Sequence, residues 1–150
     1  MGDRANIVMN QDSDAADKAG TKTQRIYFYT HGDGSELPLI LQKGLVKAYA
    51  NGDKYPQSRW DDESYLGRII FSEMTKDAYS DTTGYGISTY HTDGGYHLLV
   101  VDSDKQTVHL EKAFSDDRVV THGPWAFEQY VGLKLDDDPW GTLTGETEED

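Results

Sequence analysis

Two short segments share one form: His31-Gly32-Asp33-Gly34 and His91-Thr92-Asp93-Gly94. A histidine oriented by a carboxylate can act as a general base, and Ser35, one residue past the first segment, could serve as its nucleophile. Two such segments at strand ends could also converge on zinc or manganese through His31, Asp33, His91 and Asp93. The plainer reading of the same residues is turn chemistry. Asp-Gly makes turns, a serine caps helices, and a histidine can simply end a strand. Spacing fixes no partner for the base, so no catalytic residue is assigned. His31, Asp33 and Ser35 stand as candidates.

Other motifs fail on register. Asp12-x-Asp14 opens like a calcium loop, but Ala16, Asp17 and Thr23 stand where a ligand, a glycine and a closing glutamate are needed. Gly84-Tyr85-Gly86 has the glycine density of a phosphate turn, yet no helix start follows it. The chain has no cysteine, which excludes disulfides, thiolate metal sites and cysteine nucleophiles. No G-x-S-x-G or H-E-x-x-H motif occurs. No cofactor is expected.

Aromatic residues are the remaining asset: three tryptophans and ten tyrosines in 150 residues. Tyrosine and tryptophan are favoured at interface hot spots, and Trp60, Trp125 and Trp140 are the candidate contact residues, with Asp136, Asp137 and Asp138 beside the last. The formal net charge is -13. Residues 1–24 carry four acids and three bases, residues 25–135 sixteen and eleven, and residues 136–150 seven and none. No basic stripe exists for phosphate contact, so direct nucleic-acid binding is not expected. An acidic face could instead imitate nucleic acid. The 19 aspartates against eight glutamates would also suit a high-salt organism.

The elements that must carry these residues follow from patterning. Ala5 to Met9 and Arg25–Thr30 read as two strands joined across a polar, flexible segment 10–24. Ser35 and Pro38 open a helix whose Leu37, Leu41, Leu45 and Ala48 share a face. A second helix starts at an Asp61 cap, with Trp60 stapled to Tyr65, and buries Leu66, Ile69, Ile70 and Met74. Tyr85 to Tyr90, His97 to Asp102 and Gln106 to Glu111 read as strands, the last two as a hairpin through 103–105. Gly123-Pro124 reads as the opening of a short helix that includes Trp125, Phe127 and Tyr130. The expected architecture is a two-layer α+β domain over 1–135, with a mainly antiparallel sheet of about five strands, two amphipathic helices on one face and a short C-terminal helix. Residues 136–150 read as an acidic, largely disordered tail.

The blocks Tyr29-Thr-His-Gly-Asp-Gly-Ser-Glu-Leu-Pro38, Arg59-Trp-Asp-Asp-Glu-Ser-Tyr-Leu66, Arg68-Ile-Ile-Phe-Ser-Glu-Met74 and Thr83-Gly-Tyr-Gly-Ile-Ser88 occur in that order. The pattern resembles a family of small bacterial and phage proteins with no known activity, over about two-thirds of the chain. The resemblance implies a mobile-element origin and nothing catalytic.

The longest apolar runs, such as 98–101, are too short to span a bilayer, and no secretory signal opens the chain. A cytoplasmic protein is expected (host cytoplasm if viral), with a virion as the alternative location. The leading expectation is a non-enzymatic module that binds a protein partner, a basic one or a second copy of itself. The alternatives are a small hydrolase or metal-dependent enzyme using His31 and Asp33, and an acidic nucleic-acid mimic.

Overall fold

The computed structural model describes residues 3–10, 24–50, 58–77, 83–91, 94–114 and 117–146. Asp93, the calcium-like segment and most of the segment 10–24 lie outside them.

Strands β1 (Ala5–Asn10) and β2 (Arg25–Thr30) pair antiparallel, with Val8 opposite Tyr27 and Asn10 opposite Arg25. β1 also pairs with β4 (Leu98–Asp102), and that pairing is parallel. β3 (Tyr85–Ser88) lies outside β2, and β5 (Thr107–Glu111) and β6 (Val120–Ala126) extend the other side, all antiparallel. Among the described residues the order β3-β2-β1-β4-β5-β6 makes a mixed sheet of six strands, not five. Its two central strands are buried on both faces, which is why β4 reads Leu-Leu-Val-Val without alternation.

The sixth strand corrects the sequence reading. Gly123-Pro124 lies within β6, and the helix starts at Phe127. Proline has no N–H for a ladder, and β6 is an edge strand, where the loss is tolerated.

One face of the sheet receives α1 (Leu37–Ala50), α2 (Glu63–Thr75) and α3 (Phe127–Val131). Leu37, Leu41, Leu45 and Ala48 are fully buried, as are Leu66 and Ile70, against Ile7, Met9, Leu99 and Val101. Gly44 brings the helices together: a Cβ there would lie 3.2 Å from the Ile70 side chain. The cap of α2 is Asp62, not Asp61. Its carboxylate accepts from the Tyr65 amide at 3.1 Å. Trp60 does not staple to Tyr65. Its ring packs on Tyr49 and edge-on to Phe127, and its indole donates to the Leu45 carbonyl at 2.8 Å.

The expected disordered tail contains a fourth helix, α4 (Pro139–Thr144), capped by Asp138, which accepts from the Gly141 amide at 3.0 Å. Pro139, Trp140 and Leu143 are buried. Among the described residues no helix is long and apolar enough to cross a membrane.

Candidate functional site

The corner after β2 is built by close backbone approach. A 3-10 turn at Gly34–Glu36 precedes α1, and a Cβ on Gly34 would lie 2.6 Å from the Asp3 carbonyl, so glycine is required there. The Gly34 amide donates to that carbonyl at 2.8 Å. Asp3 also supplies the missing cap, since its carboxylate accepts from the Ser35 amide at 2.9 Å and from the Tyr96 hydroxyl at 2.8 Å. Burial pushes the Asp3 carboxyl up, but Ser35, through hydroxyl and amide, and Tyr96 outweigh it and hold it below the usual range. Ser35 therefore serves a carboxylate from the β1 end of the sheet.

The two candidate base residues part company. His31 is exposed, and its Nδ1 accepts from Arg4 Nε at 3.3 Å and lies 3.5 Å from the Tyr29 hydroxyl. The lone pair a general base would use at Nδ1 is turned toward a guanidinium. Asp33 accepts from the Tyr85 hydroxyl. It lines a cavity of about 280 Å³ with Lys43, Glu73 and Lys76, and His31 is not part of that lining. No described hydrogen bond joins His31 to Asp33. His91 lies on the opposite face of the sheet from the helices, stacked 6.3 Å from Tyr27 and tilted against Phe114 at 5.1 Å. Among the described residues no group of three or more His, Asp or Glu could hold a metal ion.

What the fold does assemble is a cleft of about 400 Å³ above that corner. It is lined by Ser35, Glu36, Leu39, Tyr96, Asp136, Asp137, Asp138, Pro139 and Trp140. Five of the residues singled out from sequence meet here: Ser35, the three aspartates and Trp140. Trp140 is anchored by an indole N–H donated to the Gly34 carbonyl at 2.7 Å, and its ring stacks on Tyr96 at 4.9 Å and 11°. The described wall thus holds four carboxylates, a rigid aromatic pair and no lysine or arginine. Such a cleft favours a cation through Coulomb attraction to its four carboxylates.

The other tryptophans lie elsewhere. Trp60 is buried at the floor of a larger, open concavity of about 770 Å³, with Tyr49, Arg59, Asp61, Asp62, Glu63 and Glu128 around it. Trp125 is half-buried on β6, edge-on to Tyr130.

The sequence reading missed a polar network on the sheet's second face. Arg25 makes a bidentate pair with Glu111, both bonds 2.7 Å, and donates from Nε to Asn10 at 2.8 Å. His109 Nε2 lies 2.7 Å from the same carboxylate. Burial raises the Glu111 carboxyl, but Arg25 and His109 overcome it and bring the group down to about 2. Burial lowers the Arg118 guanidinium, and Arg25 lowers it further. The signal was present in the polar alternation Thr107, His109, Glu111, but the partner across the sheet could not be read from spacing. The network's charges pair with one another, so it reads as structure supporting the sheet.

No family model, curated protein or solved structure matches the chain.

Proposed function

We propose that this protein is a binding module, not a catalyst, and that it recognises a basic segment of a protein partner. The observation that carries this reading is the cleft of Glu36, Asp136, Asp137 and Asp138 around the Tyr96–Trp140 stack. A lysine or arginine entering it would be attracted by four carboxylates that border a rigid aromatic pair held in place beforehand, which limits the ordering cost of binding. The acidic concavity around Trp60 carries the same charge on a separate surface and would speed encounter with a basic partner. The separate anchoring of His31 and Asp33 supports binding over acid–base chemistry.

The test titrates a ten-residue peptide rich in lysine and arginine into the protein, followed by calorimetry and by amide chemical shifts. Binding should perturb Tyr96 and Trp140, and the double variant D136N/D137N, which spares the Asp138 cap, should weaken it about tenfold, or about 1.4 kcal/mol. Unchanged affinity in that variant, or shifts that avoid the cleft, would refute the reading.

A further inference from the structure

We infer that the β3 edge of the sheet is a second docking surface, one that takes an extended peptide segment as an added strand with an apolar side chain as its anchor. Among the described residues β3 is the outermost strand on its side of the sheet. Its sequence, Tyr-Gly-Ile-Ser, carries none of the charges or prolines by which edge strands are usually blunted. The ladder with β2 sets its polarity. The His31 amide bonds the Gly84 carbonyl at 2.8 Å, and Phe28 is opposite Ile87. In an antiparallel pair hydrogen-bonded and non-bonded positions alternate, so the N–H and C=O of Ile87 point away from β2, toward an incoming strand.

The anchor site lies beside that edge. A groove of about 430 Å³ runs between β3 and α2, walled by Ile26, Phe28, Gly67, Phe71 and Ile87. Ile87 is 60% exposed. Gly67 forms the helix-side wall, where a Cβ would stand in ordinary contact with Phe28, at 3.6 Å. Main-chain bonds would supply affinity, and the groove would select an apolar residue at one position, which is how strand addition divides the work.

Charge decides the occupant. A net charge of -13 on each molecule opposes a second copy. Glu63 lines both this groove and the acidic concavity around Trp60, so the two surfaces are continuous along the start of α2, while Arg68 lines the groove one turn further along the helix. The segment that fits places its apolar residue by Ile87, a lysine or arginine toward Glu63, and no basic residue toward Arg68. The inference takes from the proposed function only the partner's positive charge, since it uses a different surface from the Trp140 cleft.

The test uses a ten-residue peptide alternating valine and threonine with two lysines at one end, titrated into the full chain and read by amide chemical shifts and hydrogen exchange. Binding should shift Gly67, Phe71 and Ile87 and slow exchange at the Ile87 amide. Ile87→Lys, at an exposed position, and a peptide N-methylated at alternate residues should each weaken binding about tenfold. Equal affinity in both controls would overturn the inference. So would binding abolished by D136N/D137N but indifferent to Ile87→Lys, which would leave the Trp140 cleft as the binding site. A peptide-free dimer joined through β3 would assign the edge to a second copy and would also overturn it.

Discussion

Arg25 and Glu111 are 86 residues apart in the chain and share a bidentate pair with almost no solvent contact. Removing one partner strands a buried charge, whereas removing both does not. Arg25→Ala should therefore cost about 3–5 kcal/mol in urea unfolding, and the double change Arg25→Met with Glu111→Leu should cost far less. Comparable losses in both proteins would mean the pair itself holds the fold. The same carboxylate sets an acid limit. Its folded value, about 2, is below the ordinary 4.5, so the unfolded chain binds the proton more readily. The stabilisation is complete above about pH 5 and is lost as pH falls toward 2, a loss on the order of 3 kcal/mol. Glu111→Gln should flatten that part of the pH–stability curve. None of this was legible beforehand. Spacing shows that Glu111 lies on a strand, but its partner is set by the sheet order, and the sheet order includes a parallel pairing that short connections do not suggest.

At the scale of elements, periodicity located both long helices and five of six strands, because Leu37, Leu41 and Leu45 or Leu66, Ile70 and Met74 each mark a face. It failed where tertiary contact overrides local preference. Pro124 suggested a helix start and is found in an edge strand. The Asp136–Asp138 run suggested a solvated tail, yet it leads into α4. A six-residue helix is not stable alone. It persists because Trp140 and Leu143 are buried and the indole reaches the Gly34 carbonyl. Trp140→Ala should cost about 3–5 kcal/mol, and Asp138→Ala about 1 kcal/mol through loss of the cap. Denaturant midpoints unchanged in both variants would show that α4 contributes nothing to the fold. The sequence reading singled out Ser35, the three aspartates and Trp140 but neither Glu36 nor Tyr96, and it could not show that they meet, since Glu36 and Tyr96 come from parts of the chain far from the aspartates.

For the whole molecule, charge makes fold and association respond oppositely to salt. The chain carries 27 acids against 14 bases, and Asp136, Asp137, Asp138 and Glu146 belong to its described body. At about 0.1 M salt the screening length is about 10 Å, which is short against the molecule but long against the spacing of neighbouring carboxylates in the cleft. Screening should therefore relieve self-repulsion and raise the melting temperature between about 50 mM and 500 mM sodium chloride. On the order of 1 kcal/mol would appear as about 2–4 °C. The same ions compete with a cationic partner, so the association rate should fall over that range while dissociation changes little. D136N/D137N removes two mutually repelling charges, and it should raise stability at low salt while reducing the salt dependence of association. If that variant left the salt dependence of the on-rate intact, attraction would come from the body's general charge, and the cleft would not be steering the partner.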